Sequence, residues 1–351
     1  MKLTQKSVIA IALMLLSSTF VGLYGAKAQA VVWTVSPTGP ADFHKIGLAI
    51  NAATHGDIIY VKAGNYLESL TVNKSVTLIG ENPLSTFISG IPVNGALNIA
   101  AINVTANNVN IINFSISSSI PHINAPAVLI NFCSNVVVAN NTITNSQIGI
   151  ALYGSNNNCI ANNTLRANGY ALSMDSTANN NVFYQNNITQ NTVGLYLYFS
   201  YQNTFYHNTI TQNSRAVFLI GTLQNNWDSG YPSGGNHWDN FIGGDSNMGQ
   251  YQNITGKDGI SDSLYQIGTN NIDQYPLMHP YSHVAGDLNK DGAVDFADIV
   301  YFVKGYVSYY EIFSVSSEFR VCDLNNDGQI NPFDLVLFAH SYVNYQQSIL
   351  P

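Results

Sequence analysis

The sequence predicts an all-β solenoid, a right-handed parallel β-helix with coils of about 22 residues, followed by a small α-helical domain built around two loops. Three observations carry this. First, Asn141-Thr-Ile-Thr, Asn163-Thr-Leu-Arg, Asn186-Asn-Ile-Thr and Asn208-Thr-Ile-Thr align without gaps, their starts 22, 23 and 22 residues apart. Second, the alignment carries forward into vertical apolar columns: Ile143, Leu165, Ile188 and Ile210; Ile150, Leu172, Leu195 and Val217; Leu152, Met174, Leu197 and Leu219; and, upstream, Val138, Ile160, Phe183 and Phe205. Third, the short strands so defined alternate with period two and are separated by Asn- and Gly-rich corners. A single unit of this kind cannot bury its apolar face, whereas stacking it on a copy can.

The chain opens with Lys2 and Lys6, an apolar run from Val8 to Leu16, and Ala28-Gln29-Ala30. This is the pattern of a secretory signal peptide over residues 1–30, with an uncleaved anchor as the competing reading because Phe20 to Tyr24 prolongs the apolar stretch. No later segment is long and apolar enough for a membrane span, so an extracellular, cell-surface-associated location is expected. Removal of Lys2, Lys6 and Lys27 leaves nine basic against twenty acidic residues, a net charge of about −11, which argues against nucleic-acid binding. The three cysteines, Cys133, Cys159 and Cys322, are too few and too scattered for a disulfide framework.

Residues 31–280 are expected to form the solenoid. The stretch from Trp33 to Gly80 reads as its less regular entry, with Phe43 to Ala53 a short amphipathic helix over the first coil and Asp57-Ile-Ile-Tyr-Val and Ser75-Val-Thr-Leu-Ile-Gly the first good strands. Gly149, Ala171, Gly194 and Ala216 form a small-residue column where the chain is expected to bend. Asn141, Asn163, Asn186 and Asn208 suit a corner twice over, since Asn tolerates left-handed geometry and stacked amides bond from coil to coil. The Asp- and Gly-rich segment 227–280 closes the domain, and 281–285 is a linker. Seven Asn-x-Ser/Thr sequons occur, at Asn73, Asn103, Asn113, Asn140, Asn162, Asn187 and Asn253; those on corner columns are expected to serve the ladder.

Ala49-Ile-Asn-Ala-Ala-Thr-His-Gly-Asp-Ile-Ile-Tyr-Val, Gly64-Asn-Tyr, Leu78-Ile-Gly, the Asn-Asn-Thr-Ile coils, Gly235-Asn-His-Trp-Asp, Asp258-Gly-Ile-Ser-Asp and Tyr275-Pro-Leu-Met resemble the NosD-like family of β-helix proteins, within the wider group of carbohydrate-binding proteins and sugar hydrolases. The resemblance spans residues 33–280 and implies a pectin-lyase-like fold. NosD itself is linked to copper delivery. Copper sites gather soft or imidazole ligands, whereas here Met174 is the only methionine of the coils, Cys133 and Cys159 fall in different columns, and the histidines are dispersed.

Residues 286–351 are of different composition. Two loops place oxygen side chains at positions 1, 3, 5, 9 and 12 with Gly at 6: Asp287, Asn289, Asp291, Asp295 and Asp298, then Asp323, Asn325, Asp327, Asn331 and Asp334, with Ala293 and Gln329 offering backbone carbonyls at position 7. Such a shell wraps a hard cation, Ca²⁺. Helices are expected after each loop, Ala297–Tyr306 and Pro332–Tyr342, but none before Asp287, so the pair resembles a type I dockerin rather than an EF-hand. That resemblance implies two Ca²⁺ sites and a cohesin-like partner. Positions 10 and 11, which face the partner in that family, are Phe296, Ala297, Pro332 and Phe333 here rather than the common Ser/Thr pairs, which puts partner identity and a symmetric two-way mode in doubt.

Glycoside hydrolysis needs two carboxylates flanking the scissile bond. Between Asn82 and Trp227 the only charged residues are Arg166, Asp175 and Arg215, and Tyr153 and Tyr198 stand beside Asp175 in the aligned columns. The outward columns suit sugar stacking better: Tyr196 and Phe218; Tyr153, Asp175 and Tyr198; and Tyr170 with Arg215. Tyr184 and Tyr206 form a second, weaker candidate, and Asp258 with Asp262 is a candidate third Ca²⁺ site. Three functions stay open: a polysaccharide- or cell-surface-polymer-binding protein, a polysaccharide-degrading hydrolase or lyase, and a structural surface protein.

Overall fold

The computed structural model describes residues 30–91, 100–118, 125–221 and 223–281, together with Leu288, Phe302, Val303, Cys322 and Ile330. Three parallel sheets of eight, eight and seven strands run the length of the described solenoid. One coil illustrates the path: Val137–Ala139 lies in the first sheet, Thr142–Thr144 in the second and Ile148–Tyr153 in the third. Cys159–Ala161 then returns to the first sheet one coil on, making a right-handed parallel β-helix.

The predicted apolar columns are the observed register. Ile143 pairs with Leu165, Leu165 with Ile188 and Ile188 with Ile210, all at most 3 % exposed. Phe183 and Phe205 stack at 4.7 Å and 9°, and Trp227 continues the stack at 4.6 Å. Like residues over like residues at one coil spacing is the geometry that a parallel ladder imposes.

The entry is more regular than its sequence suggests. Val32–Val35 already belongs to the first sheet, in register with Ile58–Val61, which in turn pairs with Thr77–Gly80. First-sheet strands begin at Val32, Ile58, Thr77, Asn110, Val137, Cys159, Val182 and Thr204, so the coils run 26, 19, 33, 27, 22, 23 and 22 residues. Only the last three share a period, because the loops between strands tolerate insertion while the strands do not.

The capping helix, α1, covers Ile46–Ala52 rather than beginning at Phe43. Phe43 instead bridges to Val35, its N–H donating to the Thr34 carbonyl, and its ring packs edge-on against Trp33 at 5.5 Å. Both ends of α1 are satisfied from the following coil. Glu68 accepts the N–H groups of Ile46 and Gly47 at 2.8 and 3.0 Å, and Lys74 Nζ donates to the carbonyls of Ile50, Asn51 and Ala53. An anion at the N-terminus and a cation at the C-terminus also complement the helix dipole.

Two adjacent corner positions divide the work expected of one Asn column. Asn140, Asn162, Gln185 and His207 take the left-handed backbone, with φ between 55° and 57°. The next residues, Asn141, Asn163, Asn186 and Asn208, are buried and carry the ladder, each donating from N and Nδ2 to the Oδ1 of the next. The sequon residues Asn140 and Asn162 are therefore exposed turn residues and do not serve the ladder. Two further ladders occupy the other corners: Asn158, Asn181, Asn203 and Asn225, and Ser146, Asn168, Asn191 and Asn213.

Gly149 and Gly194 lie inside third-sheet strands and not at a bend. A Cβ on either would stand 2.5 Å from the carbonyl oxygen of Ala171 or Ala216 in the next coil, so close approach of backbone keeps this column small.

Candidate functional site

The outward face of the third sheet brings several of the expected binding residues together. Register places Tyr196 between Ser173 and Phe218, and Tyr170 in line with Val193 and Arg215. Tyr170 leans across the strand onto Tyr196, ring centroids 5.2 Å apart, and Tyr196 meets Phe218 edge-on at 5.6 Å. The Arg215 guanidinium carbon sits 3.9 Å above the Phe218 ring, and its Nε donates to the Val217 carbonyl. These four side chains form one continuous cluster over three successive coils. Ala151 and Ser173, the small residues earlier in the Tyr196 column, are buried.

The neighbouring column behaves differently. Tyr198 is 42 % exposed and packs edge-on against Phe199. Tyr153 is half-buried, and burial, with smaller contributions from Asp175 and Tyr196, pushes its phenol above the usual range. Asp175 is held as a turn-former: its Oδ1 accepts from the N–H of Gly154 and Thr177 and from the Thr177 hydroxyl, at 3.0 to 3.1 Å. Its Oδ2 carries no hydrogen bond among the described residues. Arg215 also borders a cleft of about 270 Å³ shared with Asp239, Asn240, Tyr265 and Ile267.

On the first sheet Tyr184 and Tyr206 stack at 5.4 Å and 10°, and His207 stacks on Tyr281 at 3.7 Å. Cys159 is tied to the Tyr184 hydroxyl, and burial raises its thiol above the usual value.

The acidic terminal segment closes the solenoid, and sequence reasoning missed how. The first ladder runs on from Asn208 to Asn236 and ends on Asp273, whose Oδ2 accepts from Asn236 N–H and Trp238 Nε1–H at 2.8 and 2.9 Å. The second ends on Asn271, which accepts from Asn225 and from Trp227 Nε1–H. Gly235 is required because a Cβ there would collide with the Asp273 carboxylate at 1.8 Å. Asp239 accepts the Gln212 N–H at the corner of the third ladder. Gly235-Asn-His-Trp-Asp is thus the element that joins the last coil to its cap. Asp273 is fully buried, and burial pushes its carboxyl up to about 7, against the pull of its donors. The signal available in sequence was an acceptor-only side chain within a run of amides.

Asp258 and Asp262 hold turns. Asp262 accepts from Ser246 and Asn247 N–H, and Asp258 from Ile260 and Gly249 N–H and Gln252 Nε2, while Asp245 accepts from Asp258 and Gly259 N–H. Among the described residues no group of three or more His, Cys, Asp or Glu side chains is placed to hold a metal ion. The twelve calcium-loop residues, Asp287 to Asp298 and Asp323 to Asp334, lie outside the described residues, as does the signal segment 1–29. Their hard oxygen donor set fits Ca²⁺. Of their module, Leu288, Phe302, Cys322 and Ile330 are described and buried.

Residues 49–243 match the family model described as periplasmic copper-binding protein (NosD), and residues 285–341 match the dockerin type I domain. No curated protein matches the chain. Solved structures similar to it include a pectin methylesterase from carrot (13 % identity, 61 % of this chain and 73 % of that one, TM-score 0.40). A pectin methylesterase from Aspergillus niger is also similar (16 %, 59 % and 88 %, 0.38), as is the Agl-KA catalytic domain (19 %, 63 % and 47 %, 0.44).

Proposed function

We propose, since the chain belongs to the NosD family of β-helix proteins and ends in a type I dockerin domain, that it is a secreted, non-catalytic protein that binds a glycan or cell-surface polymer. In this reading the dockerin-like module, ordered by Ca²⁺ on its two loops, attaches the solenoid to a cohesin-like partner outside the cell. The observation that carries the binding role is the continuous cluster of Tyr170, Tyr196, Phe218 and Arg215 on one face of the third sheet. Flat aromatic faces with few polar groups offer what the C–H face of a sugar ring stacks on.

Among the described residues the soft ligands do not gather into a copper centre. Met174 is buried in the core, Cys133 lies inside the solenoid with its thiol on the Val104 and Asn131 carbonyls, and Cys159 is on the first sheet against Tyr184. Soft ligands spread over separate sites cannot share one ion.

The test is to incubate the protein with a panel of plant and microbial polysaccharides, scoring retained protein and released sugar ends together. Retention without product is expected, with at least tenfold weaker retention for Tyr196→Ala with Phe218→Ala. Released sugar ends would overturn the non-catalytic reading.

A further inference from the structure

The rim where third-sheet strands turn toward the first sheet holds a feature that folding does not explain. Phe132 and Phe199 both have left-handed backbone, φ 53° and 50°, yet are 77 % and 46 % exposed. Bulky residues rarely adopt this conformation, and other corners of the molecule give it mostly to Asn, Gln or Gly. An exposed ring recovers little burial in return for the strain. Each ring is nonetheless seated in a socket. Gly154 and Gly221, one coil on, have no Cβ where one would lie 2.3 Å from Phe132 Cδ1 or Phe199 Cε1. The same Phe-over-Gly device occurs twice on one rim, and strain held at an exposed position points to a function.

The register puts the two rings three coils apart, through Asn131 with Tyr153, Leu152 with Met174 and Met174 with Leu197. At about 4.8 Å per coil they are roughly 14 Å apart, beyond the reach of one sugar ring. Between them lies Asp175, its Oδ1 anchored by Gly154 and Thr177 and its Oδ2 left as a fixed acceptor. Tyr198 and Tyr201, 42 % and 37 % exposed, extend the aromatic surface at the Phe199 end. The line's charge is a carboxylate. Arg215 stands at the far end of its strand, five residues before Ile220.

We infer that this rim binds a neutral oligosaccharide laid along the solenoid axis, its rings stacking on Phe132 and Phe199 and a hydroxyl donating to Asp175 Oδ2. This rests on the glycan-binding reading and names the class: an uncharged chain of several sugars, since a uronate would meet the Asp175 carboxylate.

The experiment measures affinities of the full chain, by calorimetry, for cello-, manno- and xylo-oligosaccharides of two to six residues and for oligogalacturonates of the same lengths. A neutral series is expected to bind, affinity rising at least tenfold between two and six residues. Phe132→Gly with Phe199→Gly should lose at least tenfold for the six-residue ligand. Because glycine relieves the left-handed strain, that variant should unfold at the same temperature or higher, which separates lost binding from lost folding. Asp175→Ala should also weaken binding. Unchanged affinity in the double glycine variant, with loss in Tyr196→Ala/Phe218→Ala, would overturn the rim and leave the sheet-face reading standing. Preference for oligogalacturonates, or a disaccharide bound as tightly as a hexasaccharide, would overturn it as well. Absence of binding to any sugar would remove both readings together.

Discussion

At the scale of the residue, neighbouring asparagines have opposite jobs. Asn186 accepts from Asn163 and donates to Asn208 Oδ1 and the Ile160 carbonyl, all out of water. Asn162 holds an exposed left-handed turn. Asn186→Ala strands buried donors and acceptors, each costing about 1–3 kcal/mol, and should destabilise the solenoid by roughly 2–4 kcal/mol in urea unfolding. Asn162→Gly should change it by less than about 1 kcal/mol. Asp273 gives a pH test. Its folded carboxyl titrates near 7, above the ordinary 3.8, so the folded state holds a proton that the unfolded state has released. The contribution to stability is therefore fully present below pH ~4, declines as pH rises, and is lost by pH ~7, a change on the order of 4 kcal/mol. Asp273→Asn keeps an acceptor for Trp238 and should abolish this slope; a difference between wild type and variant that stays flat from pH 4 to 7 would refute the assignment.

At the scale of the element, strand and corner obey different constraints. Strands are placed by inward columns at period two, and a one-residue slip would expose every one of them. Corners are placed by ladders in which each rung's Oδ1 accepts from the coil before and its backbone N–H and one Nδ2 hydrogen donate to the next, so each needs an acceptor at its last rung. Asp273 and Asn271 supply it for two of the three. The third-sheet column alternates Gly149, Ala171, Gly194 and Ala216 because the glycines face carbonyls 2.5 Å from where a Cβ would be. Gly194→Ala should therefore cost about 1–3 kcal/mol, as overpacking does, measured as a lowered urea midpoint.

At the scale of the whole molecule, solenoid and dockerin module answer to different physics. The solenoid is held by stacked apolar columns, covered at the first coil by α1, and by ladders, two of which end on the cap from Gly235 to Asp273. In the proposed reading the module takes a cation, whose binding energy would contribute directly to folding. Asp287→Ala with Asp323→Ala should abolish Ca²⁺-induced ordering of residues 286–345 while leaving the β-sheet circular dichroism unchanged; persistent calcium-induced ordering would show that the ligands are other residues.

The sequence by itself determined the fold, the register of the four regular coils and the dockerin resemblance, because each rests on a repeat: identical positions at fixed spacing must meet when units stack. It located the Tyr170, Tyr196 and Phe218 columns by the same logic, though not that Tyr170 leans across its strand onto Tyr196. Only the tertiary structure decided the rest. The entry coils are hidden by lengths of 26, 19, 33 and 27 residues, since insertion falls in loops while pairing is preserved. The split between turn asparagines and ladder asparagines turns on backbone angles one residue apart. The meeting of the Gly235-Asn-His-Trp segment with Asp273 joins two stretches that share no motif, because contact across coils depends on where the chain returns and not on what lies beside it in sequence.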